Sequence, residues 1–183
     1  TKVVAVAQVT NVAGDTLPIA KIAAKAHAVG AVVVVDGAQA VAHLAVDVQA
    51  MGADFYAFSG HKIYGPTGIG ALYGRADLLQ HMPPIQFGGE MISEVRDDVS
   101  TWADGPIKYE AGTPHIAGVI GLGAALTWFN QSVNAAAFDN EHQLADQLRA
   151  GLAAIPDVTV YGNQASLATV SFNLTGIHPH DLA

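Results

Sequence analysis

Val32-Val33-Val34-Val35, followed at once by Asp36-Gly37-Ala38-Gln39, is the stretch that decides the architecture. An unbroken β-branched run has no polar face to turn toward water. It predicts a strand buried on both sides, as parallel sheets prefer. Such a strand needs helices to cover it, and the sequence supplies them. Residues 3–9 read as another buried strand, and residues 11–16 as a polar turn. Pro18 then opens a helical pattern in which Ile19, Ile22, Ala23, Ala26 and Val29 recur up to Gly30. Downstream, a short helix is expected over residues 46–51, a third strand over 54–58, a loop over 59–68 and a fourth strand over 69–73. Strands alternating with helices predict an α/β fold with a mainly parallel sheet of flanked strands.

Beyond that sheet the pattern changes. Pro83-Pro84, Gly88-Gly89, Gly105-Pro106 and Thr113-Pro114 break residues 83–114 into an irregular connection, and a connection of that length is more often functional than idle. A long helix is expected over 116–129 and another over 133–155, the latter with Phe138, Ala145, Leu148 and Leu152 on one face. Strands over 158–161 and 168–174 then begin a smaller α+β unit. The expected division is a large domain over 1–129 and the start of a small one over 130–183. Four parallel strands with two intervening helices make a narrow sheet, and the second unit has too few elements to bury a layer of its own. The chain therefore reads as a piece of something larger, and by itself is expected to be oligomeric or poorly soluble.

Of the 183 residues, 51% are apolar and 13% charged, which suits a sizeable core. The formal charge of −8 argues against nucleic acid or an anionic membrane surface as partner, since both need a basic face. A small anionic ligand is still compatible, because local N–H groups can hold a phosphate. The most apolar stretch, residues 31–35, is strand-sized rather than membrane-sized, and no signal peptide is recognised; a soluble cytoplasmic protein is the expectation. Cysteine is absent, so disulfides and thiolate metal sites are excluded within the chain. The histidines, His27, His43 and His61 among them, show no ligand spacing tighter than His178-x-His180, and no metal site is expected.

Chemistry concentrates at two strand ends, where open α/β sheets bind ligands. The denser cluster is Ser59-Gly60-His61-Lys62, followed by Tyr64-Gly65-Pro66-Thr67-Gly68-Ile69-Gly70. Lysine is usually a solvated surface residue. Here small and polar neighbours leave room for a ligand, and a lysine in a confined pocket can lose its proton and attack an aldehyde to give a Schiff base. The glycines match neither a phosphate-binding Walker loop, which would end in Gly-Lys-Ser/Thr, nor a dinucleotide fingerprint, whose third glycine is replaced by Tyr73. In the second cluster, Asp36 can simply cap the following turn. It can equally face Lys62 across a shared crevice. A carboxylate opposite a Schiff-base lysine is what pyridoxal phosphate requires, since it keeps the pyridine nitrogen protonated. Gln39 is placed to donate to the ring hydroxyl oxygen.

Four segments together, Val35-Asp36-Gly37-Ala38-Gln39, Ala53 through Lys62, Tyr64 through Gly70 and Tyr109-Glu110-Ala111-Gly112-Thr113-Pro114, resemble the class V aminotransferases, and within them the SufS-type cysteine desulfurases and selenocysteine lyases. The resemblance covers the chain, most strongly over 9–126. It implies a fold-type I transferase using pyridoxal 5′-phosphate, with a small domain that closes on substrate. It implies that Lys62 holds the cofactor, that Asp36 and Gln39 contact its ring, and that Ser59 and His61 bind its phosphate. Thr113 would reach the phosphate of the neighbouring subunit in a homodimer, and Asn11 would help hold the substrate carboxylate. The implied reaction takes sulfur from L-cysteine, leaving alanine and a persulfide on an enzyme cysteine, for a sulfur-acceptor protein and iron–sulfur cluster assembly. This chain carries no such cysteine, nor the arginine that clamps the substrate in the family. A central fragment of a desulfurase is the favoured reading. The alternatives are a selenocysteine lyase or other class V enzyme, and a shortened non-catalytic homologue used for dimerisation or binding.

Overall fold

The computed structural model describes residues 1–163 and 166–182. Strands β1 (Val3–Ala7), β2 (Val32–Asp36), β3 (Phe55–Ser59) and β4 (Gly70–Gly74) form one sheet in the order β1-β2-β3-β4. The valine run sits where its composition demands. Val33 and Val35 are 0% exposed, and β2 is flanked on both sides by parallel partners, β1 and β3. Helix α1 (Ile19–His27) buries Ile19, Ala23 and Ala26 in the core that contains Val33 and Val35.

Two expectations fail here. The fourth strand is antiparallel to β3, with Ser59 opposite Gly70 and Phe55 opposite Gly74. A parallel return needs a crossover of a dozen or more residues, and the connection between Ser59 and Gly70 is shorter and contains only a 3-10 turn, Gly60–Lys62. The sheet is mainly, not wholly, parallel. The helix expected over 46–51 is a single turn. Asp47 Oδ1 accepts from the N–H groups of Gln49 and Ala50, and Gly52, at φ +71°, ends the turn before a second can form.

The irregular connection proves more ordered than its prolines and glycines suggest. It holds a short helix, α2 (Ala76–His81), and a hairpin of β5 (Ile92–Val95) and β6 (Ser100–Trp102). Met91, 0% exposed, anchors the hairpin's base, where its carbonyl accepts from Ala103 N–H. Two long helices follow, α3 (Ile116–Ser132) and α4 (Ala135–Ala153), then an antiparallel pair, β7 (Val158–Tyr161) and β8 (Ser171–Leu174), and α5 (Pro179–Leu182). Of the apolar face expected on α4, Ala145 is buried, but Leu148 is 50% exposed. Helix α3 is apolar nearly all round, yet Ile116, Val119, Ile120 and Trp128 are exposed. Among the described residues no single helix is long and apolar enough to cross a membrane.

Candidate functional site

Because β1, β2 and β3 run parallel, the loops that follow them leave at one edge of the sheet. Register makes the alignment specific: Ala7 pairs with Asp36 and Asp36 with Ala57. The loop after β1 carries Asn11, exposed, in a turn closed by Thr10 and Asp15. Thr10 N–H donates to the Asp15 carbonyl at 3.0 Å, and Asp15 N–H donates to Thr10 Oγ1 at 3.0 Å.

The loop after β2 begins with Asp36, whose exposed carboxylate accepts from Ala38 N–H at 2.9 Å. So the capping role open to this residue is realised by Oδ1, and the carboxylate still faces out from the strand end. Gln39 is half-buried one residue before the fully buried Ala40. Beneath them lies a bar that sequence reasoning missed. Tyr56 of β3 donates its phenol hydrogen to Gln8 Oε1 at 2.7 Å, with both side chains buried. The phenol passes over Gly37, where a Cβ would stand 2.0 Å from Tyr56 Cζ, so no other residue fits at that position. Burial, and then the nearby Asp36 carboxylate, push the Tyr56 phenol up to about 12. The available signal was a polar Gln8 interrupting an otherwise apolar strand.

The loop after β3 holds Ser59, half-buried, His61, exposed, and Lys62, half-buried. Its ends are tied by Gly60 N–H donating to the Ile69 carbonyl at 2.8 Å, and its middle by Gly65 N–H donating to the Gly60 carbonyl at 2.9 Å. Gly70 is obligatory, since a Cβ there would lie 2.5 Å from the Phe58 carbonyl oxygen. Helix α3 packs on this loop through Leu122 against Gly65 and Gly121 against Pro66. Thr113, exposed, lies two residues before His115, whose ring sits beside Gly68 of the same loop. The segment is held by Gly112 N–H donating to the Gly89 carbonyl at 2.9 Å.

The structure thus brings Asn11, Asp36, Gln39, Ser59, His61 and Lys62 to one edge. An amine, a carboxylate, an amide, a hydroxyl and an imidazole gather there, a donor set that fits an aldehyde-bearing, ring-nitrogen, phosphate-bearing cofactor. A sizeable cavity lies elsewhere. About 620 Å³ in volume, it is lined by apolar side chains such as Val41, Leu44, Phe58, Leu72, Leu126 and Phe129, and by none of the candidate residues. Among the described residues no group of three or more His, Asp or Glu side chains is gathered as a metal site would need.

A cysteine desulfurase of Dickeya dadantii (strain 3937) is 51% identical over 183 residues, spanning 100% of this chain and 44% of the relative. The crystal structure of the cysteine desulfurase CsdA (S-sulfonic acid) from Escherichia coli superposes with a TM-score of 0.93 at 43% identity, covering 99% of this chain and 45% of that one. A lysine-to-alanine mutant of C-DES, with glycine covalently linked to its pyridoxal phosphate cofactor, superposes with a TM-score of 0.83 at 30% identity, covering 95% of this chain and 47% of that one. The chain therefore spans less than half the length of the relatives it matches. Its α/β fold is theirs. The family described as Aminotransferase class-V matches residues 1–183, and the chain belongs to it.

Proposed function

We propose that the chain is the central part of a pyridoxal-phosphate-dependent cysteine desulfurase. The whole protein would take sulfur from L-cysteine, leave L-alanine, and carry the sulfur as a persulfide on a cysteine outside this cysteine-free stretch. The observation that carries the reading is the shared edge, where Asn11, Asp36 and Lys62 follow the ends of three adjacent parallel strands. Pyridoxal phosphate, when bound, supplies an electron sink for bonds at the amino-acid α-carbon. The chain's residues divide the work of holding it. Asp36 keeps the ring nitrogen protonated, Gln39 donates to the ring hydroxyl oxygen, Ser59 and His61 hold the phosphate, and Lys62 holds the aldehyde carbon. Asn11 orients the substrate carboxylate.

The proposed whole is a cytoplasmic homodimer in which Thr113 serves the neighbouring subunit's phosphate and an acceptor protein takes the sulfur for iron–sulfur cluster assembly. Exposed Ile85, Phe87, Ile92 and Val95, on the segment leading to Thr113, support a subunit contact there. An α3 that is apolar nearly all round supports burial by further chain, as expected of the interior helix of a larger protein. Residues 1–129 would then belong to the large domain and 130–183 to the small one.

The test is the visible absorption spectrum of the full-length protein with pyridoxal phosphate, before and after borohydride reduction, with Lys62→Ala as control. A protein-bound band that reduction fixes onto Lys62 is expected. No band in the full-length protein would instead favour a non-catalytic homologue. Side-by-side turnover of cysteine and selenocysteine assigns the substrate.

A further inference from the structure

The loop that carries Asn11 does not hold its own shape. Thr10 and Asp15 close its base, but its tip is held from outside, by residues that follow α4. Ser171 Oγ donates to the Val12 carbonyl at 2.5 Å. Leu167 N–H donates to the Gly14 carbonyl at 3.0 Å. Asp15 Oδ1 accepts from Ser166 Oγ at 2.6 Å and from Asn163 N–H at 3.2 Å.

The two segments meet so closely that glycine is needed on each. Gly14 has φ +70°, and a Cβ there would lie 3.1 Å from the Thr169 carbonyl oxygen. At Gly162 a Cβ would lie 2.8 Å from the Ala13 carbonyl oxygen. Leu167, 5% exposed, packs with Val9 and Ala40, the residue after Gln39. One side chain fixes this outer segment in turn. Arg149 of α4 donates from Nη2 to the carbonyls of Ser166 at 2.7 Å, of Thr169 at 3.4 Å and of Leu167.

We infer that Asp15 and Ser166, with Arg149 behind them, are positioning residues that set Asn11 for the carboxylate of an amino-acid substrate. The inference rests on the proposed role of Asn11. Lys62, Ser59 and His61 stand on a different loop, and the Leu167 packing beside Gln39 does not involve Asp15 or the Ser166 hydroxyl, so loss of this lock lowers amino-acid affinity while the cofactor stays bound. A contact that merely glued the two units together would change stability and nothing else.

The test uses the full-length holoprotein and follows the cofactor band while L-alanine, the amino-acid product, is titrated in. Asp15→Ala and Ser166→Ala are each expected to weaken L-alanine about fivefold to tenfold, less than the full scale of a charge-assisted hydrogen bond because the loss reaches the substrate only through Asn11. The double variant should be no weaker than Asp15→Ala alone, since the two groups form one interaction. Ser166→Thr, which restores the hydroxyl, should recover the affinity, and the cofactor should stay bound throughout. Unchanged affinity in Ser166→Ala and Asp15→Ala, beside a weakened Asn11→Ala, overturns the lock alone. Unchanged affinity in Asn11→Ala overturns the role of Asn11 and the lock together. If Asp15→Ala does not fold, Ser166→Ala, which removes a single oxygen, decides the matter.

Discussion

Tyr56 and Gln8, from β3 and the end of β1, bond across the intervening β2 at 2.7 Å, directly over the α-carbon of Gly37. The bar crosses at Gly37, the residue after Asp36 at the end of β2, so it fixes the height of that turn above the sheet. Replacing Tyr56 by Phe leaves the buried Gln8 amide oxygen without its donor and should cost about 1–3 kcal/mol in a denaturant titration. With the phenol pushed up to about 12, the bar should keep its donor at every pH from neutral to mildly alkaline. Gly37→Ala should destabilise at least as much. Tyr56→Phe should not rescue it, because the new Cβ would meet the ring carbon as well as the hydroxyl.

Asp54, 2% exposed at the start of β3, gathers three partners: Val33 N–H at 2.7 Å, His27 Nε2 at 2.8 Å and Arg75 Nη1 at 2.8 Å. Burial pushes its carboxyl up, but these bonds outweigh burial and hold it below the usual carboxylate range. A carboxylate whose folded-state value is lowered stabilises above its unfolded value and loses that contribution as pH falls through the lowered one. Stability should therefore drop in the acid range, and Asp54→Asn should flatten the drop. Asp54→Ala should cost roughly 3 kcal/mol, the low end for breaking a buried ionic group, since Arg75 and His27 both reach solvent.

Gly70 faces Ser59 across the sheet with no space for a side chain. Gly70→Ala must shift backbone against backbone at the base of the loop that carries Lys62. The expected result is a folded protein with weakened pyridoxal phosphate capture, read by equilibrium dialysis against a Gly123→Ala control, where a Cβ meets nothing within 4 Å.

Asn134 caps α4 by accepting from Ala137 N–H at 3.2 Å, at the sharp bend that separates α4 from α3. Asn134→Ala should cost about 1 kcal/mol. A thermal melt followed by circular dichroism checks it, and Asn134→Ser should lose little.

The sequence was most readable where composition alone forced an outcome. Val32 through Val35 had nowhere to go but the middle of a sheet, and the polar residues just past it had nowhere to go but its edge. Strand direction was a different matter. Apolar runs look the same read up or down, and only the short Ser59–Gly70 connection distinguished β4 from a parallel strand. The β5–β6 hairpin was hidden because its strands are short and β5 is exposed throughout, with Arg96-Asp97-Asp98 between them and Gly and Pro on either side. Least legible was the Asp15–Ser166 contact. Its partners stand far apart in the chain, and neither has local company that marks it.

The reversal of β4 has a consequence for how such a chain can vary over evolutionary time. Having come down the sheet, the backbone leaves β4 at Arg75, beside Asp54 and opposite the candidate site. It must climb back before α3 can pack on the Lys62 loop. Residues 75–112 are that ascent; Arg75 at its foot is tied to Asp54 beside the sheet, while Gly112 at its top is tied to Gly89 within the climb itself. Insertions, deletions and rewritten surfaces can accumulate along the climb while Lys62 stays where it is, which makes this the natural place for related chains to diverge in the company they keep.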